Sequence, residues 1–373
     1  MGKPVPLTHR PVPAWCRLRG PARLSTAIRI ENEKLTMKDK ILLTHGSGGR
    51  MTRELIRDLF QPYLNNEYLE KESDAAILQP VTGKIAVSCD AFVVHPIIFA
   101  GGDIGKLSIC GTANDLAVAG AKPHSITASF ILEEGLEKSL LERVVSSMAR
   151  EIKQLDIALI AADTKVVPSG LCDKIYITTT GIGTVIPDLE QVSNGKGIQA
   201  GDRIILSGTI GDHGAAIFCA RYPEHILTTI ESDCACVYPL IEMISSFGTG
   251  IRFMRDPTRG GLATVLCEVT EKKAWGITIK ESLIPVRNEV AGLCDLVGLD
   301  PLYLANEGKF IMVAAESISN EILTALRSHP LGKNACEIGV VTRENPGRVI
   351  LETPIGGTRL LTMLSGDPLP RIC

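Results

Sequence analysis

From Met37 onward the chain switches between two apolar periods. "MTRELIRDLFQPYL" places Met51, Leu55, Ile56, Leu59 and Phe60 on one helical face directly after the loop "THGSGGR", so a glycine loop opens a helix. "KIAVSCDAFVV" has period two: Ile85, Val87, Cys89, Ala91 and Val93 line one side of a strand, and Asp90 points away from that row. A helix near 105–120, a strand in "HSITASFILEE", a helix from about 137 to 155, and strands in "IALIAADTKVV" and "DKIYITTTGIGTV" follow. The polar, glycine-containing stretch "EQVSNGKGIQAGD" then breaks the pattern. Beyond it come strand "RIILSGTIG", a helix after "DHG", strand "GIRFMRD", helix "GGLATVLCEVTEK", strands "GITIK" and "KFIMVAA", helix "NEILTALRSH", and strands "CEIGVVT" and "RVILET". Mixed elements on both sides of the break predict two α/β (α+β) domains, over 37–190 and 191–364, with no short-period repeat inside them.

Composition narrows the class. With 373 residues, 45% hydrophobic and 35 glycines, the chain supports two cored domains with tight turns. A net charge of −3 without a basic run argues against nucleic-acid binding. Eleven cysteines with no CxxC pair fit reduced thiols and a cytoplasmic location. Cys234 and Cys236 form the one close pair, read either as thiols near a helix start or as two metal ligands needing distant help. No apolar run reaches the ~18 residues of a membrane span. Residues 1–36, rich in proline and arginine, read as a poorly ordered extension, added by an upstream start codon or serving as a docking arm. Residues 365–373 read as a mobile tail: Pro368 and Pro370 disfavour helix and strand, and the chain closes on "PRIC" with Cys373.

"AGGDIGKLS" has the look of a phosphate loop, yet Ala100 and Leu107 stand where the Walker pattern needs glycine and Ser/Thr. Gly101 and Gly102 are read as a tight turn into a helix whose free N–H groups could still meet an anion. More telling are aspartates at element ends: Asp74, Asp90, Asp115, Asp163 and Asp256. Mg²⁺ bridges a few carboxylates to nucleotide phosphates, so acids converging from separate strands and loops suit a metal–ATP site. Taken singly, each is read as a cap or turn residue. Small and apolar neighbours in "CGTANDLAVAGA" and "LIAADTKVV" make unpaired carboxylates costly there, which favours a bound cation.

The succession "THGSGGR", "SCDAFVVHP", "GGDIGKL", "GTANDLAVAGA", "ADTKVV", "RDPTRGG", "ANEGK" and terminal "PRIC" closely resembles the HypE family of hydrogenase maturation proteins, in the PurM-like ATP-binding superfamily, from about residue 40 to the end. The resemblance implies a two-domain PurM-like fold whose N-terminal sheet pairs with that of a second subunit in a homodimer. It implies a carbamoyl dehydratase using ATP and Mg²⁺: a HypF-type carbamoyltransferase loads Cys373, and the thiocarboxamide becomes a thiocyanate. The cyano group then passes to a HypC–HypD complex for [NiFe]-hydrogenase iron assembly. Metal candidates are then Asp74, Asp90, Asp115 and Asp256; nucleotide-side candidates are Gly46, Gly48, Gly49, Asn114, Asp163 and Arg259; Glu307 is the candidate proton acceptor and Lys165 the candidate oxyanion stabiliser. Without the resemblance, Glu307 reads as a turn cap and Lys165 as a solvated charge. A selenophosphate synthetase would need a reactive Cys or selenocysteine with a lysine at "THGSGGR", and a thiamine-monophosphate kinase or aminoimidazole ribonucleotide synthetase has no use for a terminal thiol. A non-enzymatic thiol carrier is the reading from another class.

Overall fold

In chain order, the computed structural model, which describes residues 39–224 and 229–364, begins with α1 (Arg50–Leu55), which runs through a π turn (Ile56–Phe60) into α2 (Gln61–Leu64). Then come β1 (Ile85–Phe92), β2 (Ile98–Phe99), β3 (Gly102–Asp103), α3 (Ile104–Val118), β4 (Ala121–Glu133), α4 (Lys138–Gln154), β5 (Ala158–Val167) and β6 (Ile175–Val185). The remainder is β7 (Arg203–Leu206), α5 (Asp212–Arg221), α6 (Tyr238–Ile244), β8 (Ile251–Arg255), α7 (Gly261–Thr270), β9 (Gly276–Lys280), α8 (Asn288–Val297), β10 (Ile311–Ala314), α9 (Glu316–Arg327), β11 (Cys336–Thr342), β12 (Val349–Glu352) and β13 (Thr358–Leu361). The extension read over 1–36 and the tail with Cys373 lie outside the described residues.

Four strands form one sheet in the order β1-β6-β4-β5, and seven form another, β13-β12-β9-β11-β7-β10-β8. β4 and β5 run parallel because α4 carries the chain back between them, while β1–β6 and β6–β4 are antiparallel. α4 buries Leu141, Val144, Val145 and Met148 on one stripe. α3 is buried nearly all round, and Gly105 lets it approach α4: a Cβ there would collide with the Val144 carbonyl.

In β7 and β10 the apolar runs are unbroken because both faces of the larger sheet are covered, while β8 is interrupted by half-buried Arg252. Ile205, Met254 and Met312 pack into a core shared with α3, α4 and the smaller sheet, while Ile204, Leu206, Phe253, Ile311 and Val313 pack into a second core on the far side. The smaller sheet differs, with one face under α3 and the other open. Ile85 and Val87 on that open face are 56% and 64% exposed, so the apolar row read in β1 is genuine but uncovered in the single chain. The helix after "THGSGGR" also departs from its expected face: the π turn inserts an extra residue and Ile56 swings outward while Leu55, Leu59 and Phe60 stay buried.

Candidate active site

Two bundles of acids emerge, and the sheet register shows why they are separate. Asp90 on β1 pairs with Thr179 of β6, Thr179 with Ala128 of β4, and Ala128 with Ala162 beside Asp163 of β5. Three strand spacings of ~4.8 Å put Asp90 and Asp163 ~14 Å apart. They also belong to opposite faces, since successive side chains alternate. Asp163 lines a cavity of about 530 Å³ with Asp74, Arg53, Arg57 and Tyr68, under the first helix. Lys165, two residues on and exposed, shares the open-face row of Ile131 and Tyr176.

The other bundle lies at the seam between the two sheets. Asp90 accepts a hydrogen bond from Thr112 Oγ1 at 2.9 Å, and Asp115, close enough to feel the charge of Asp90, accepts one from Ser88 Oγ at 2.6 Å. Asp115 and Asp256, at the end of β8, line a hollow of about 260 Å³ with Ser88, Ser193 and Arg255. Burial pushes Asp115 up to about 6, against the Ser88 hydrogen bond and helped by the charge of Asp90. Burial and then the charge of Asp115 push Asp256 up to about 7. Glu307 is 5% exposed, and its carboxyl is held well above the ordinary range by burial first, then by the charges of Asp256, Asp233, Asp115 and Asp90. These carboxyls come from β1, α3, the end of β8 and the turn before β10, and their mutual repulsion is relieved by protons or by a cation. Among the described residues no three His, Cys, Asp or Glu side chains form a ready-made metal cage. The carboxylate oxygens gathered here are the hard donor type that suits Mg²⁺.

Several expected residues are occupied otherwise. Asn114 is 2% exposed and its amide is spent on backbone: Oδ1 accepts from Val237 N at 2.8 Å, and Nδ2 donates to Ala235 O at 3.0 Å and Glu307 O at 3.3 Å. It ties α3 to the site instead of facing a hollow. Gly46 is explained by packing, since a Cβ would strike Val166 of β5. Gly48, at φ 79°, and Gly49, which precedes α1, have open space around them, as a backbone meant to approach an anion would. Arg259 is exposed in the turn before α7. The N–H groups expected at "GGDIG" are already capped, because Asp103 accepts from Gly105 N at 2.8 Å and Lys106 N at 3.0 Å. His45 is buried, and its Nδ1 accepts from Leu42 N at 2.8 Å. Cys234 and Cys236 are buried thiols just ahead of α6, the plainer of their two readings.

Sequence reasoning passed over Asp233, which sits in "ESDCAC" beside the cysteines that drew the eye. Its carboxylate is 1% exposed and 3.3 Å from Lys309 Nζ. Ser88, Thr112 and Arg255 were also missed; only adjacency to the motif aspartates could have suggested them.

Residues 72–185 match the family described as AIR synthase related protein, N-terminal domain, and 199–352 its C-terminal domain. The chain is 43% identical to the carbamoyl dehydratase HypE of Rhodobacter capsulatus over 338 residues, 90% of this chain and 98% of that one. A crystal structure of a hydrogenase maturation protein HypE in complex with ATP superposes at a TM-score of 0.84 with 43% identity, covering 89% of this chain and 99% of that one. A chain of a HypE–HypF complex superposes at 0.72 with 41% identity, covering 83% and 99%.

Proposed function

Since the chain belongs to the carbamoyl dehydratase HypE family, on the PurM-like AIR synthase related fold, we propose that it dehydrates, at the expense of ATP, a carbamoyl group carried on Cys373, converting thiocarboxamide to thiocyanate as the cyanide source for a [NiFe]-hydrogenase iron centre. The carrying observation is the meeting of Asp90, Asp115, Asp256 and Glu307 at one seam, with Asp115, Asp256 and Glu307 raised by burial and by one another. Amide oxygen is a poor leaving group, so it first takes the γ-phosphoryl group of ATP, with ADP departing. The C–O bond then breaks with loss of phosphate, and the nitrogen gives up its two protons.

Asp90, Asp115 and Asp256 would hold Mg²⁺, which neutralises phosphate charge when bound. Glu307 holds its proton more tightly than an ordinary carboxyl while its neighbours are uncompensated anions. Once positive charge offsets those anions, the same carboxyl becomes a competent proton acceptor, so base strength appears only in the loaded site. Lys165, Asp163 and Asp74 stand apart in the single chain. A homodimer in which the smaller sheets pair would cover exposed Ile85 and Val87 and the free edges β1 and β5, and would supply the remaining side of the nucleotide site, with Gly48, Gly49 and Arg259 as phosphate contacts.

A HypF-type carbamoyltransferase as the loading partner is supported by the HypE–HypF complex, and a HypC–HypD acceptor and a cytoplasmic setting complete the reading. Among the described residues no helix is long and apolar enough to cross a membrane.

The test is intact mass. Carbamoylated protein incubated with Mg-ATP is expected to lose one water, and neither the nucleotide-free sample nor Cys373→Ala should do so. An unchanged mass, with carbamoylation and bound ATP verified, would leave only a thiol carrier.

A further inference from the structure

The 307–309 turn is clamped by one buried carboxylate from another loop. Asp233 Oδ1 accepts from Glu307 N at 3.1 Å, and Oδ2 accepts from Gly308 N at 3.2 Å and from Lys309 Nζ at 3.3 Å. Two glycines make room for this. A Cβ at Gly308 would collide with the Asp233 carbonyl, and one at Gly208 would lie 2.8 Å from Lys309 Cε.

The loop carrying Asp233 is itself fastened to the other half of the molecule. Ser232 N donates to Ala100 O at 2.8 Å, Cys234 N to Ser232 Oγ at 3.0 Å, and Ala235 and Val237 take the amide of Asn114 on α3. Ala235 N also donates to Glu307 O at 3.3 Å, so both peptide groups of Glu307 are fixed through this one loop. α3 carries Asp115, so the loop sets where Glu307 stands relative to the aspartates.

We propose that Asp233 is a positioning residue for the dehydration: it fixes the 307–309 turn so that the Glu307 carboxyl is aimed at the carbamoyl nitrogen, without itself touching substrate. An anion fully enclosed on three donors is a demanding arrangement, and it costs desolvation that an apolar residue would avoid. Its return is geometric. Three fixed donors define the turn to within a fraction of an ångström, which is the tolerance proton transfer requires.

The inference rests on Glu307 being the proton acceptor, so the experiment separates the two. Full-length carbamoylated protein is mixed with Mg-ATP, and loss of water is followed by mass in single turnover across ATP concentrations for wild type, Asp233→Asn, Asp233→Ala and Glu307→Gln. Asp233→Asn keeps the shape and one acceptor oxygen but turns an NH₂ toward a backbone N–H. It should lower the maximal rate about 10- to 100-fold while the half-saturating ATP concentration stays near wild type; the melting temperature should fall, because a buried N–H and the Lys309 ammonium lose their partner, with the protein still folded at the assay temperature. Asp233→Ala should be slower still. A wild-type rate in Asp233→Asn, or a rate and an ATP saturation that worsen together, overturns the inference and leaves Asp233 a structural ion pair. A wild-type rate in Glu307→Gln removes the underlying reading and this inference with it.

Discussion

Replacing Asn114 separates two roles that a polar residue in "GTANDLA" can play. In Asn114→Ala, the Val237 N–H and the Ala235 carbonyl lose their side-chain partners in a place water does not reach, whereas the Glu307 carbonyl keeps the Ala235 N–H. A buried backbone group left unpaired costs about 1–3 kcal/mol, so the pair costs about 2–6 kcal/mol. At about 1.3 °C per kcal/mol for a chain of this length, the melting temperature should fall by about 3–8 °C. Asn114→Asp, of equal size, should fall further, because it turns an anion toward two carbonyl oxygens. The assay is thermal unfolding of the nucleotide-free protein beside calorimetric titration with ATP. An unchanged melting temperature with ATP binding abolished would refute the reasoning and return Asn114 to the nucleotide.

Two further outcomes follow from the same geometry. Asp256 has its carboxyl raised to about 7 from an ordinary value near 3.8, so its contribution to folding is intact at low pH and is lost as pH rises through about 7. Without nucleotide or divalent cation, Asp256→Asn should therefore melt higher than wild type at pH 8 and by a smaller margin at pH 5, because the loss runs from the ordinary value near 3.8 up to about 7; an equal difference at both would show that charge is not what strains the site. Val87→Asp places a charge on the open face of β1, where Val87 is 64% exposed, and should leave the monomer folded while lowering the apparent mass in sizing chromatography with light scattering. A dimer of undiminished mass would mean that the smaller sheets do not pair.

Periodicity made much of the fold legible, because α4 and β1 each carry one clean repeat. It could not say which face of β1 is covered, since alternation distinguishes sides without naming the one that meets a helix. Short or interrupted elements escaped. α6 is seven residues long with a proline in its first turn, α8 has Gly292 in its interior, and β13 buries only Leu361. Among the site residues, Asp90, Asp115 and Asp256 were readable as aspartates at element ends and Glu307 only through the family resemblance, and the four converge. Asp74 and Asp163 carry the same local signature, but only strand order reveals that they lie beyond the opposite edge. Asn114 is a different case: a buried amide satisfied by backbone from residues more than a hundred positions away looks, in sequence, the same as one facing a ligand.

The clasp of Asn114 and the 232–237 loop has a consequence for inheritance. A segment that belongs by chain position to one half, yet meets its hydrogen-bonding obligations in the other, cannot be exchanged alone. An exchange of residues 72–185 alone would part α3 from the loop that closes its hydrogen bonds, so α3, the loop and the Glu307 turn form one unit of exchange that a break near residue 195 would cut.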